Sequence, residues 1–410
     1  MTEENMSKLE RLIQQYCPDG VEYVPLSSIG TIKRGNGLQK KDFVKTGIGC
    51  IHYGQIYTKF GLFTDKTLTY VDKNLADHLL HIEKGDLVIA CTSENIEDVC
   101  KAVAWLGDDS IVTGGHSCVL HHNQNPKYIA YFFQTESFQR QKRKYAYGTK
   151  VIDIKPDSIG KIEIPVPPLP VQEEIVRVLD AFTELQAELQ AELQKRKQQY
   201  NFYRDNLLNF KDINRGGQEI KWMKLKEIGK VCMCKRILKE QTASSGDVPF
   251  FKIGTFGGVA DAYIPQELFD SYKSKFSYPQ KGDILISAAG TIGRTVEFDG
   301  KPAYFQDSNI VWLKHDESIV LNSYLKYCYT QNPWAISTGG TIARLYNDNI
   351  LNATIPVPPI AEQQKIVDIL DRFDALTNDL TSGLPAEMEK RRLQYEFYRD
   401  KLLTFKRKEA

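Results

Sequence analysis

The sequence predicts an α+β protein in which one architectural unit, a mixed domain followed by a long helix, is written twice. Two observations lead to that reading. Four blocks recur in the same order at similar spacing, and in each copy the apolar pattern turns from strand-like to helical at an identical Ile-Pro-Val-Pro-Pro segment. A third observation is consistent with it: 410 residues exceed one ordinary domain, and 42% hydrophobic with 26% charged residues suits soluble globular cores.

The repeat decides the architecture. Val21-Glu-Tyr-Val-Pro-Leu-Ser-Ser-Ile-Gly30 is echoed by Ile220-Lys-Trp-Met-Lys-Leu-Lys-Glu-Ile-Gly229. Lys84-Gly-Asp-Leu-Val-Ile89 returns as Lys281-Gly-Asp-Ile-Leu-Ile286, and Ile164-Pro-Val-Pro-Pro168 as Ile355-Pro-Val-Pro-Pro359. Lys195 to Phe210 and Lys390 to Phe405 agree at 11 of 16 positions, both containing Phe-Tyr-Arg-Asp-x-Leu-Leu-x-Phe.

The elements follow in chain order. Residues 1–20 form an N-terminal helix. In 21–168, short runs of β-branched and aromatic residues alternate with Gly/Asn/Asp turns and read as strands: Gly85 to Ala90, Ile111-Val112, Ser117 to Leu120 and Ile162 to Ile164. Tyr128 to Gln139 is helical. Past Pro168 the period becomes helical, with Ile175, Val178, Leu179, Phe182, Leu185, Leu189 and Leu193 on one face, then Tyr200, Tyr203, Leu207 and Phe210. Val171 to Phe210 makes a spacer helix (169–212) of roughly 60 Å at 1.5 Å per residue. The second mixed domain (213–359) has strands at Asp283 to Ser287 and Asn309 to Leu313 and a helix at Ser323 to Tyr329. The second spacer helix (360–410) repeats the apolar stripe but is interrupted at Ser382-Gly383-Leu384-Pro385. Amphipathic helices this long need partners, and each copy supplies one to the other. Antiparallel pairing would give a coiled-coil spacer and a pseudo-two-fold molecule, suited to duplex DNA with two separated half-sites. A coiled-coil scaffold joining protein partners, without base readout, is the alternative.

A net charge of +1 confines any DNA-binding surface to local patches. The eight cysteines are scattered without a disulfide framework, and Cys232-x-Cys234 lacks a second ligand pair for zinc. The polar N-terminus is no signal peptide, and no apolar run reaches membrane-spanning length, so a cytoplasmic, reduced protein is expected.

No phosphate loop, dinucleotide fingerprint or amino-methylating Asn-Pro-Pro-aromatic segment is present, and six of the seven histidines lie in the first copy. Glu219-x-Lys221 has no convincingly placed upstream acid. A binding protein is expected, without catalytic residues, metal or cofactor of its own. The densest basic run is Arg140-Gln-Lys142-Arg143-Lys144-Tyr-Ala-Tyr147-Gly-Thr-Lys150, readable as phosphate contacts or as a solvated helix end; its counterpart carries Thr341 and Arg344. Two loops match in position: Arg34 and Asn36 with Lys235 and Arg236, and His52, Tyr53 and Gln55 with Lys252 and Thr255. The frames agree while the loops differ, as two readers of different half-sites would, and as neutral drift would also leave them.

Cys17-Pro-Asp-Gly-Val21-Glu-Tyr, both Ile-Pro-Val-Pro-Pro hinges, both Phe-Tyr-Arg-Asp-x-Leu-Leu-x-Phe ends, Leu370-Asp-Arg-Phe-Asp-Ala-Leu376 and Gly383-Leu-Pro-Ala-Glu387 together resemble the specificity subunits of Type I restriction–modification systems. The resemblance implies two target-recognition domains reading a bipartite asymmetric sequence in double-stranded DNA. It implies two modification subunits that bring S-adenosylmethionine and methylate adenine. It also implies two restriction subunits that use ATP and magnesium. The tandem Ala187-Glu188-Leu189-Gln190 and Ala191-Glu192-Leu193-Gln194 resembles the subgroup whose tetrapeptide number sets spacer length.

Overall fold

The computed structural model describes residues 6–210, 220–335 and 344–409. The chain packs as two units, Met1–Gln190 with Glu387–Ala410, and Ala191–Ala386. The division falls inside the long helix Leu169–Leu208, between its two Ala-Glu-Leu-Gln tetrapeptides.

In the first unit, the ribbon of Tyr23–Pro25 with Glu163–Pro165 ties the start of the mixed domain to its end. The main sheet runs, in spatial order, Gly30–Arg34, Ser117–His122, Leu87–Ala90, Ala102–Trp105, Phe63–Thr64. A second sheet runs Thr69–Val71, Ile48–Ile51, Ile111–Thr113, Leu80–Ile82. All four positions of Leu87–Ala90 and of Ala102–Trp105 are buried, which explains their unbroken apolar sequence. Side chains alternate across a strand, so one run feeds two cores. Leu87, Ile89, Ala102 and Ala104 face the helices, among Tyr128, Phe132, Ile175, Leu179, Tyr395 and Leu403. Val88, Ala90, Val103 and Trp105 face Ile51, Ile82 and Ile111 of the second sheet.

The second unit repeats this plan. Its main sheet runs Lys230–Met233, Ile310–Lys314, Ile284–Ser287, Thr295–Glu297, and its second sheet Tyr263–Ile264, Val248–Phe251, Tyr304–Phe305. The same neighbours pair in the same sense, including the parallel pairs Val112 with Cys50 and Phe250 with Tyr304. Alternation again divides the strands: Ile284, Ile286 and Val311 join one core, Leu285, Ile310 and Trp312 the other.

Each domain grips its helix by the same polar clip. Gln172 is wholly enclosed; its carbonyl accepts from Asn125 N (3.0 Å) and its amide donates to Pro167 O (2.7 Å) and Gln124 Oε1 (2.8 Å). Gln363 does likewise with Leu321 N (2.9 Å), Ile319 O (2.8 Å) and Pro358 O (2.8 Å). Tyr128 and Tyr324 donate to the carbonyls of Pro165 and Pro356. Tyr131 and Tyr327 donate to Asp180 and Asp371 on the helices. Ring pairs join the helices: Phe182 stacks on Tyr398 in the first unit (5.6 Å between centroids), Tyr203 on Phe373 in the second (5.3 Å).

The expected interruption is present. Ile360–Asn378 stops, and Leu384–Leu402 begins after a turn in which Asp379 accepts from Thr381 N. Gly383 is required there because a Cβ would lie 2.5 Å from Ala375 O. Two expectations need correction. Tyr128 to Gln139 is not one helix but parts of two, Pro126–Phe132 and Glu136–Lys142, because Thr135 Oγ1 accepts from Phe138 N and caps a new start. Cys91 and Cys118 meet on neighbouring strands as a disulfide, with Cα atoms 6.3 Å apart, where wholly free thiols were expected. Among the described residues no helix is long and apolar enough to cross a membrane.

Candidate nucleic-acid interface

In the first domain, loops from four elements converge at one end of the sheets. The chain leaves the strand Gly30–Arg34 through Gly35, Asn36 and Gly37 and touches the turn between Ile111–Thr113 and Ser117–His122. The contact demands glycine: a Cβ on Gly35 would sit 2.6 Å from Gly114 O, and one on Gly114 2.4 Å from the Leu38 Cβ. Arg34 Nε donates to Gly115 O (3.1 Å), while Nη1 and Nη2 grip Asp153 at 3.0 and 2.6 Å. That carboxylate raises the guanidinium's pKa further. Asp153 lies on a ribbon with Thr92–Ser93 and also accepts from Tyr147 Oη (3.1 Å). Arg34, Asn36, Gly115, His116, Tyr147 and Asp153 thus share one crest. Asn36 is exposed, and its amide has no partner among the described residues.

His52, Tyr53 and Gln55 stand beside this crest with structural duties. His52 Nδ1 accepts from Gly54 N (3.2 Å) and Gln55 Oε1 accepts from His52 N (3.0 Å), capping the helix Tyr53–Thr58. Burial, then Lys40 and His116, push the His52 pKa down, and the nearly buried ring caps the helix and packs against Phe43 and Tyr53. Lys252 and Thr255 hold the matching turn in the second domain, with Lys252 N donating to Thr255 Oγ1 (3.1 Å), and Lys252 Nζ pairs with Asp261 at 2.8 Å.

The basic run is not one patch. Lys142 is fully buried, its ammonium donating to Glu97 O (2.8 Å) and Val99 O (2.9 Å), and burial lowers its pKa. It is therefore corrected from a phosphate contact to an interior strut. Arg140 and Arg143 line an open cleft of about 910 Å³ together with Glu97, Gln186, Tyr395 and Arg399. Lys144 is exposed. Tyr147 reaches the crest through Asp153, on a turn set by Gly148 (φ +114°), and Lys150 is exposed on the same turn.

The second domain builds its crest differently. Arg236 Nε donates to Asp307 Oδ2 (3.1 Å), which lies on the turn before Ile310–Lys314 rather than on a ribbon. Lys235 Nζ sits 5.3 Å over the Phe276 ring, and Arg344 Nη2 donates to Ser308 O (2.7 Å). Arg294 holds Gly257 O at 3.1 Å and Gln306 Oε1 receives Ile253 N at 3.0 Å. Thr341 and Glu219 lie outside the described residues. Sequence reasoning missed His116, Asp153, Asp307 and Arg294, whose partners are distant in the chain. Doubling of the Lys-Arg signal after the first strand was the one available cue.

The two frames end in dissimilar crests of guanidinium, amide, imidazole and phenol groups, the polar form of a binding protein rather than an enzyme pocket. The model of the Type I restriction modification DNA specificity domain matches residues 18–196 and again 218–390. The chain belongs to this family and is a DNA specificity subunit, the non-catalytic component that recognises the target. It is 32% identical over 437 aligned positions to the EcoR124I/EcoR124II specificity subunit of Escherichia coli, covering 99% of this chain and 98% of that one. It is 56% identical over 255 residues to S.HindORF215P of Haemophilus influenzae, described as a type I restriction enzyme specificity subunit; this covers 60% of this chain and 65% of that relative. A chain solved in a study of complex assembly and conformational transition of the type I R-M system has the same fold, with TM-score 0.62 at 17% identity over 95% of this chain and 98% of that one.

Proposed function

We propose that each domain reads one half of a bipartite, asymmetric DNA target, and that the paired helices set the length of the unread spacer between the halves. The domains in this reading are 21–168 and 213–359, with 169–212 and 360–410 as spacer helices. The observation that carries it is the contrast within the repeat: sheet order, register sense and helix clips agree, while the crest residues do not. Arg34, Asn36, Tyr147 and Lys150 belong to one reading surface, with Tyr53 supporting it from beside, and Lys235, Arg236 and Arg344 to the other. Arg143 and Lys144 serve nearby backbone or partner contacts.

Chemistry lies with partners in the cytoplasm: two modification subunits carrying S-adenosylmethionine and two restriction subunits using ATP and magnesium. The scaffold alternative is not favoured, because a protein linker has no need of two polar crests on twin frames. The test is binding of the reconstituted complex to the duplex defined by methylome sequencing. Affinity should fall steeply with salt as counterions are released. Exchanging residues 21–160 for a relative's should alter one half-site only; alteration of both halves would refute independent reading.

A further inference from the structure

We infer that His116, held in place by Thr92 and Tyr53, is a specificity-determining residue that contacts a base edge in the half-site read by the first domain. This rests on the two-half-site reading above and assigns a role to a side chain that its motifs did not single out. His116 stands in the turn between Ile111–Thr113 and Ser117–His122 and is exposed. Its Nδ1 lies 3.0 Å from the hydroxyl of Thr92, itself nearly buried on the ribbon that carries Asp153. Its ring packs on Tyr53 (4.7 Å between centroids), Tyr53 on His52 (4.5 Å), and His52 on Phe43 (5.8 Å). A row of four rings therefore leads from the interior to the crest and ends in this imidazole.

Three consequences follow. The ring has lost most of its rotational freedom before any ligand arrives, so little ordering entropy opposes a contact. With Nδ1 engaged by Thr92, Nε2 is the remaining polar atom, and it has no partner among the described residues. Either tautomer can serve: Nε2 accepts when Nδ1 carries the proton and donates when it does not. The neighbours complete the setting. A Cβ on Gly115 would lie 3.5 Å from Asn36 Cα, so the free amide of Asn36 stands beside His116. Arg34, by contrast, has Nε and one N–H of each terminal nitrogen committed to Gly115 and Asp153. It pins the crest together, leaving Asn36 and His116 to face the groove. An amide and an imidazole match the donor and acceptor pattern of purine edges in the major groove. The corresponding turn of the second domain carries Asp307 and Ser308 instead, so the effect is confined to one half-site.

The experiment uses the complex of the chain with its modification subunits. Binding is measured to the methylated target sequence determined from the host, and to duplexes substituted singly at every position of both halves. For His116→Ala we expect affinity for the target to drop about tenfold, with discrimination flattened at one or two adjacent positions of a single half. The slope of affinity against salt should not change. Thr92→Val, which keeps the ring but frees it, should give the same pattern more weakly, at unchanged thermal stability. Unchanged binding by His116→Ala overturns the inference. So does equal weakening on every duplex with a shallower salt slope, which would mean a phosphate contact. If the unaltered complex fails to discriminate among the duplexes, it is the two-half-site reading that fails.

Discussion

Replacing Gln172 by leucine tests the clip between the first domain and its helix. The side chain keeps its volume but loses three hydrogen bonds, to Asn125 N, Pro167 O and Gln124 Oε1. Gln124 is partly exposed and can turn to water, leaving the buried Pro167 carbonyl and the part-buried Asn125 N–H without their partner. Each orphaned group costs about 1–3 kcal/mol, and the added apolar contact returns roughly 1 kcal/mol. The net loss is about 1–5 kcal/mol. In a unit of this size 1 kcal/mol moves the midpoint by roughly 2–4 °C, so calorimetry should record a fall of about 2–20 °C. A protein of two units need not melt in one step, and the transition of the first unit should move alone. Gln363→Leu should move the other transition by a similar amount. A shift below about 2 °C for Gln172→Leu, or equal shifts of both transitions, would refute the claim that these amides anchor each helix separately.

Three further outcomes are expected. Lys142→Gln should lower thermal stability while leaving the salt slope of DNA binding intact, whereas Lys150→Ala should leave stability intact and reduce that slope by about one. Glu174 is held at about 2 instead of 4.5, chiefly by Arg177 and also by Lys8, with burial opposing. A lowered carboxylate pKa stabilises fully above the ordinary value of 4.5, and the gain is lost as pH falls through about 2. The melting points of Arg177→Met and the parent chain should therefore converge across that window; a constant gap would count against the pair. Deleting Ala191 to Gln194 removes about 6 Å of helix and a rotation of about 40°, and methylation mapping should report a shorter spacer with both half-sites kept. An unchanged spacer would show that the tetrapeptide does not set the length.

The repeat, the strand and helix alternation and the break before Leu384 were legible because each is written in local periodicity and in Gly/Pro chemistry. The second helix start at Glu136 was hidden because Thr135 looks like an ordinary interior residue until its hydroxyl accepts from Phe138 N. Lys142 misled for a related reason. Charge in a run of cations suggests solvent, yet this one ammonium is enclosed by two carbonyls from residues over forty positions earlier. Asp153 and His116 were invisible because their roles depend on Arg34, Thr92 and Tyr53, which only the sheet pairing brings near. Lys-Arg after the first strand was readable in both copies, but the different acids that hold it, Asp153 and Asp307, were not.

The first unit is discontinuous, and this bears on how the protein is made. Val21 bridges to Arg407, Tyr23 Oη accepts from Phe405 N, and Tyr395 and Leu403 complete a core begun near residue 9. The second unit is one uninterrupted stretch, Ala191–Ala386. On the ribosome, then, the domain translated first must wait, with an unfinished apolar face, until nearly four hundred residues have been joined. The domain translated second has all its parts sooner. A chain released before the helix Leu384–Leu402 had been made would expose that face to chaperones and proteases.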